Sequence, residues 1–197
     1  MNLPNKLTVF RIILVPVMVI ISLMNIPGNT LGIPMNMFIM GVIFIIASIT
    51  DKLDGWIARS KNQITTFGKF LDPIADKILV LTAMIIFVEA GKLPGWIPII
   101  VIFREFVVSG YRLIAVEKKG EVVAANIWGK LKTVTQMVAL ILMFIDNNYY
   151  GAVFSKQLEG IPFVLNLLTT ILMTVSVIAT IFSGYEYVKN GKGLLKD

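Results

Sequence analysis

Apolar runs close to twenty residues long recur along the chain, separated by short polar stretches. Each run is long enough to cross about 30 Å of hydrocarbon as a helix, which predicts an all-α, polytopic membrane protein. Six spans can be drawn, near 7–26, 35–50, 71–90, 95–117, 127–146 and 161–188. Pro27-Gly28-Asn29 ends the first, Gly91-Lys92-Leu93-Pro94-Gly95 separates the third from the fourth, and Asp146-Asn147-Asn148 closes the fifth. With no internal repeat or low-complexity linker, residues 1–197 read as one membrane domain, a six-transmembrane-helix bundle. The first run begins in a polar stretch with Lys6 and Arg11 and lacks a small-residue cleavage site after it. It therefore reads as a spanning helix rather than a signal peptide.

Composition narrows the chemistry. Hydrophobic residues make up 56% of the chain and the mean hydropathy is +0.82, well beyond what a soluble core of this size needs. There is no cysteine and no histidine, which excludes disulfides, thiolate metal sites and the usual neutral-pH base. Any metal must be held by oxygen. The net charge of +6 reads as topology rather than nucleic-acid binding. The connections near 27–34, 91–95 and 147–160 hold only Lys92 and Lys156. The other connections and the termini hold Lys6, Lys52, Arg59, Lys61, Lys69, Arg112, Lys118, Lys119, Lys130, Lys132, Lys189, Lys192 and Lys196. That asymmetry puts both termini on the cytoplasmic side.

The stretch 51–77, "DKLDGWIARSKNQITTFGKFLDPIADK", holds four aspartates where the second and third spans meet the cytoplasm. The second span is expected to continue helically past Asp51 toward Arg59, "SKNQITTF" to turn, and the third to start near Gly68, with Pro73 in its first turn. Asp51 and Asp54 are three apart, Asp72 and Asp76 four apart, so each pair shares a helix face with roughly 5–6 Å between β-carbons. If the two helices are neighbours, the pairs face each other and repel in a low dielectric. Arg59 and Lys77 offer two positive charges, too few for four acids. Divalent ions suit oxygen-only ligands, and two of them about 4 Å apart form a clamp for phosphoryl chemistry, with Asp76 left partly free as a general base. Gly55 and Ala58 remove bulk beside the acids, so that a nucleotide or diphosphate can approach the backbone. The plainer alternative is a set of solvated acids capping helix ends.

Asp51-x2-Asp54-Gly55-x2-Ala58-Arg59-x8-Gly68-x3-Asp72-x3-Asp76 resembles the signature of the CDP-alcohol phosphotransferase family, with every fixed position present. The six-span layout is similar too. The resemblance implies attack of a hydroxyl on the phosphorus of a CDP-linked lipid or alcohol, with CMP leaving. It implies that Asp51, Asp54, Asp72 and Asp76 hold Mg²⁺ or Mn²⁺, two ions in all, that Asp76 is also the base, and that Gly55, Ala58 and Arg59 line the CDP site. It also implies a homodimer.

The acceptor must be read elsewhere. "FREFVVSGYR" puts Arg104 inside the fourth span, about eight residues or roughly 12 Å from its Arg112 end. An arginine at that depth is expensive and faces a cavity or a partner. Glu105 points about 100° away and reads as a poor partner, whereas Tyr111 shares the Arg104 face. A phosphate-bearing acceptor suits Arg104, Arg112 and Lys132, with Arg11 and Lys77 as further phosphate contacts; Lys118 and Lys119 read as headgroup anchors. "NLPNKLTVFR" and "FREFVVSGYR" together resemble the bacterial branch of the family that uses CDP-diacylglycerol and sn-glycerol 3-phosphate, and so imply a bacterial plasma membrane. There Asn5 and Thr8 would lie near the CDP moiety and Arg11 near nucleotide or phosphates, although helix capping explains Asn5 and Thr8 equally well. Inositol phosphate, serine or phosphatidylglycerol are the rival acceptors. An ion-coupled transporter would place its acids near the bilayer midplane, unlike these.

Overall fold

The computed structural model describes residues 2–60, 65–119 and 127–190. Residues 61–64, half of the polar turn expected between the second and third spans, lie outside them, as do the side chains of Ala58, Arg59, Lys118 and Lys119. Among the described residues the fold is six α-helices: α1 (Leu3–Leu23), α2 (Met35–Ser60), α3 (Thr66–Glu89), α4 (Trp96–Lys119), α5 (Ile127–Ile145) and α6 (Gly160–Asn190). The one sheet pairs β1 (Asn29–Thr30) with β2 (Ile33–Pro34), antiparallel, in the link between α1 and α2. Leu31 and Gly32 form its two-residue loop with φ of 56° and 79°, the double positive φ that such a loop requires. By length and composition α1, α2, α5 and α6 can cross a membrane. The other two are long enough, but Asp72, Asp76 and Lys77 interrupt α3, and Arg104, Glu105 and Arg112 interrupt α4.

The chain forms two compact units, Met1–Lys92 with Ile141–Asn147, and Leu93–Leu140 with Asn148–Asp197. In the first unit α1 packs along both α2 and α3, which touch each other much less. The shared faces change character along their length. On α2 the buried stripe runs Met37, Met40, Phe44, Ala47 and then Asp54, the spacing of one helix face. On α1 it runs Met18 and Val15 and then Arg11, Thr8 and Asn5. On α3, Phe87, Ala83, Leu79 and Ala75 lead back to Gly68. One end of the three-helix seam is therefore apolar and the other polar, and the small residues Ala47, Ala75 and Ala83 let backbones approach where polar groups must meet. The outward faces carry Ile13, Ile20, Leu23, Ile45 and Ile49, an apolar exterior suited to lipid.

Helix starts place the polar end. Asn2 caps α1, its side chain accepting from the Asn5 amide at 3.3 Å, and Thr65 caps α3 through the Gly68 amide at 3.0 Å. The Thr65 cap starts α3 at Thr66, so Pro73 lies inside the helix rather than in its first turn as the sequence suggested. Its missing N–H leaves the carbonyl four residues earlier without a helical partner. At the apolar end, Phe144 of α5 meets Phe44 and Phe87 with ring centroids 5.6 and 4.5 Å apart. Beside them Lys92 is buried, donating to the Asp146 carbonyl at 2.5 Å and the Met143 carbonyl at 3.3 Å; desolvation holds its ammonium below the ordinary lysine range.

In the second unit α4 packs along α6, burying Val101 and Val108 of α4 and Met173, Val177 and Ala179 of α6. Trp128 of α5 stacks on Phe182 of α6 at 5.1 Å. Asn166 ties α6 to the short 3-10 turn Ala152–Phe154 by accepting from the Val153 amide at 2.8 Å and donating to the Tyr149 carbonyl at 3.0 Å.

A β-carbon on Gly41 would stand 3.0 Å from the Phe144 β-carbon, a contact with no flexible end to yield. Gly41→Val should therefore destabilise the protein by about 1–3 kcal/mol, read as a lower unfolding temperature in detergent. The same change at Gly110, which has nothing within 4 Å, should leave that temperature close to wild type.

Candidate active site

The four aspartates come together at the polar end of the three-helix seam, and the group they gather round is Arg11 of α1. Its Nη1 lies 2.8 Å from Asp51 Oδ1 and 2.7 Å from Asp76 Oδ1, and its Nη2 lies 2.6 Å from Asp54 Oδ2. Thr8, one helical turn before Arg11, donates its hydroxyl to Asp72 Oδ1 at 2.7 Å and stands 3.5 Å from Asp54 Oδ2. Two side chains of α1 thus touch all four carboxylates. Asn5, a further turn back, accepts from the Thr65 hydroxyl at 2.9 Å and joins the α3 cap to the same cluster.

Exposure divides the cluster into a floor and a rim. The Arg11 and Asp54 side chains are 0% and 4% exposed, those of Asp51 and Asp76 37% and 48%. Two carboxylates about 4 Å apart repel by roughly 4 kcal/mol at an effective dielectric of 20, so a buried cation is what allows three of them to converge. Arg11 serves this purpose: it is always charged, and its fork can meet several oxygens at once.

Arg11 was expected at an acceptor's phosphate. Here it is buried and already ion-paired three ways, because α1 lies along both aspartate helices. Lys77 is half-buried on α3 immediately after Asp76, and Gly55 is half-buried on α2 immediately after Asp54. Gly68 is buried, and a β-carbon there would stand 3.0 Å from Asn5 Oδ1 and 3.2 Å from Thr65 Oγ1. The absence of a side chain at 68 is what lets Asn5 reach the α3 cap.

The donor set suits hard divalent cations. It offers carboxylate oxygens and a threonine hydroxyl, in a chain with no cysteine or histidine. The oxygens of Asp51 and Asp76 come close enough to share one nitrogen of Arg11. As the side chains stand, no three acids among the described residues converge as the ligands of an ion; Arg11 occupies the point on which they close.

The second unit holds a cluster richer in cations. Arg104 Nη1 donates to Glu105 Oε1 at 2.9 Å, and its Nη2 donates to Ser183 Oγ at 2.5 Å. Lys132 of α5 pairs with the same Glu105 oxygen. Arg112 Nη2 donates to the Tyr187 hydroxyl at 2.9 Å, and the Arg104 and Arg112 guanidinium carbons lie 5.9 and 5.6 Å from the Tyr187 ring centroid, within cation–π range. The expectation that Glu105 is a poor partner for Arg104 is overturned. Both side chains are long enough to curl round the helix, and Lys132 draws Glu105 to the same place. Sequence reasoning also missed Ser183 and Tyr187, whose place on the α4-facing side of α6 no local motif marks.

The sequence model of the CDP-alcohol phosphatidyltransferase family matches residues 1–182. A Bacillus subtilis protein named CDP-diacylglycerol–glycerol-3-phosphate 3-phosphatidyltransferase is 41% identical over 99% of this chain and 97% of its own length. Proteins of the same name from Haemophilus influenzae and Rickettsia typhi are 37% and 34% identical, over 100% and 95% of this chain and 96% of each relative. The chain belongs to the CDP-alcohol phosphatidyltransferase family.

Because Gly68 and Asn5 share one small space, Gly68→Ala should destabilise the protein by about 1 kcal/mol, the usual scale of a disturbed helix cap. In an Asn5→Ala background most of that penalty should vanish, so a double-mutant cycle of unfolding temperatures should show strong coupling between the two positions.

Proposed function

We propose that this protein transfers the phosphatidyl group of CDP-diacylglycerol to sn-glycerol 3-phosphate, forming phosphatidylglycerophosphate and releasing CMP. The observation that carries the reading is the gathering of Asp51, Asp54, Asp72 and Asp76 at one end of a helix seam, in a chain whose relatives bear the name of that reaction along nearly their full length. The acceptor hydroxyl oxygen forms a bond to the phosphorus that carries diacylglycerol, and the bond from that phosphorus to the CMP oxygen breaks.

Asp76 takes the hydroxyl proton. It has the most exposed of the three carboxylates paired to Arg11, which lets an incoming hydroxyl reach it. Asp51, Asp54, Asp72 and Asp76 hold Mg²⁺ or Mn²⁺, two ions by the family resemblance. When bound, such ions neutralise the diphosphate and stabilise the departing CMP. Gly55 leaves room for the nucleotide beside Asp54, with Ala58 and Arg59 assigned to the same CDP site by resemblance. Asn5 and Thr8 hold the helix ends that frame it. The acceptor's phosphate is assigned to Arg104, Arg112 and Lys132, supported by the guanidinium fork's fit to phosphate oxygens and by the arrangement of both arginines about Tyr187.

Acyl chains stay in the bilayer while the CDP headgroup enters from the cytoplasmic face. That orientation rests on the lysine and arginine asymmetry of the connections. The resemblance supports a bacterial plasma membrane and a homodimer.

Incorporation of radiolabelled glycerol 3-phosphate into lipid tests the reaction. It should stop in EDTA and return with Mg²⁺ or Mn²⁺; incorporation that persists in EDTA rejects the metal requirement. Asp76→Asn should bind CDP-diacylglycerol normally and lose about 10²- to 10⁴-fold in turnover, the usual worth of a general base; wild-type turnover removes Asp76 from that role.

The acceptor assignment is tested separately. Arg104→Ala and Arg112→Ala should each raise the KM for glycerol 3-phosphate by roughly ten- to a hundredfold, the worth of one charge-assisted hydrogen bond, with little change in the KM for CDP-diacylglycerol. An unchanged acceptor KM in both points to an acceptor without that phosphate.

A further inference from the structure

Arg11 holds the carboxylates that divalent ions would take. Its guanidinium lies within 2.6–2.8 Å of Asp51 Oδ1, Asp54 Oδ2 and Asp76 Oδ1. Mg²⁺ sits about 2.0–2.1 Å from its oxygen ligands, and these three oxygens cannot converge on an ion at the point that the guanidinium occupies. The arrangement is the arginine-bound one, with a single guanidinium against all three carboxylates.

We propose that Arg11 is an exchangeable counter-ion: it neutralises Asp51, Asp54 and Asp76 when no metal is present, and divalent ions enter by displacing it. The inference rests on the divalent-metal reading proposed above and adds to it a built-in competitor.

Two features of the site favour exchange over a permanent lock. Arg11 Nε is buried with no hydrogen-bond partner among the described residues, so the guanidinium is held through its two terminal nitrogens alone, and an unpaired buried donor weakens its hold on the site. The carboxylates it grips differ in access: Asp51 and Asp76 form an open rim above buried Asp54, which gives an ion a path that does not require the helices to part. Charge sets the direction. One guanidinium brings a single positive charge to three acids, whereas each divalent ion brings two. An empty site without Arg11 would leave those acids facing one another in a poorly screened seam, so the arginine keeps α1, α2 and α3 assembled until metal arrives.

The test uses purified full-length protein in detergent, stripped with a chelator and titrated with Mn²⁺, free Mn²⁺ being followed by electron paramagnetic resonance. Arg11→Gln removes the competing charge and should bind Mn²⁺ about tenfold tighter or more, the scale on which a neighbouring charge shifts cation binding at a carboxylate. Arg11→Lys, which keeps one charge at a single nitrogen, should fall between Arg11→Gln and wild type. Stripped Arg11→Gln should also unfold at a lower temperature than stripped wild type, and Mn²⁺ should close that gap. Equal or weaker Mn²⁺ binding by Arg11→Gln overturns the exchange while leaving the metal reading in place. Failure of wild type and both variants to bind Mn²⁺ overturns both together. A variant that stays unfolded even in saturating Mn²⁺ also overturns the exchange, because metal would then be unable to replace the guanidinium.

Discussion

Three carboxylates from two helices meet within hydrogen-bonding distance of a single buried guanidinium, and the arrangement of the first unit follows from what that contact demands. Like charges so close in a poorly screened seam separate unless a cation lies between them. α1, running along both aspartate helices, supplies one from within the unit. Its position fixes the rest: Thr8 one turn away reaches Asp72 and Asp54, Asn5 reaches the α3 cap, and Gly68 must lack a side chain for Asn5 to fit. An isolated salt bridge at a protein surface carries little energy. This one is buried on the arginine side and shared three ways, so loss of the arginine would leave acids unpaired rather than merely remove an attraction.

The polar cluster is stable in a membrane protein because the same seam is apolar at its other end. Phe44, Phe87, Phe144, Met40 and Ala83 pack there, and helices that share such a face cannot rotate to turn their aspartates outward without exposing the phenylalanine contacts to a different neighbour. Packing in lipid gains little from hydrophobic transfer and much from close fit and polar contacts. The two ends of the seam therefore need each other: close fit sets the helix rotation, and the rotation sets where the acids meet.

Much of this was legible in the chain itself. Apolar runs marked all six helices, and the intervals Asp51–Asp54 and Asp72–Asp76 marked one face on each of two helices, since helical spacing is a local property. The helical run past Asp51 appeared as expected. What could not be read was which helix lies between which. The sequence left open whether the two aspartate helices are neighbours and gave no sign that α1 packs along both; Arg11, placed near nucleotide or phosphates by resemblance, was therefore not read as the aspartates' partner. Glu105 misled for a related reason. A 100° step between neighbours on a helical wheel describes β-carbons, and side chains as long as arginine and glutamate reach across it. Tyr187 and Ser183 are ordinary residues of an apolar helix until α4 is laid beside them.

The two polar clusters are built on opposite plans. In the first, several acids surround one arginine; in the second, Arg104 and Lys132 close on one glutamate, and Arg112 joins Arg104 around Tyr187. A membrane chain can bury charge only when each group has a partner, and the simplest partner is one of opposite sign in equal number. The contacts given above for the described residues depart from that pattern. A cluster dominated by acids keeps an affinity for cations beyond the arginine it already holds, and one dominated by cations keeps an affinity for an anion. The proposed phosphatidyl transfer to a phosphorylated acceptor would draw on both kinds of charge: a diphosphate to be offset by cations, and a phosphate to be gripped by guanidinium groups. On the function proposed above, charge imbalance that would be a liability in a purely structural bundle would let each cluster, separately, select its ligand by sign.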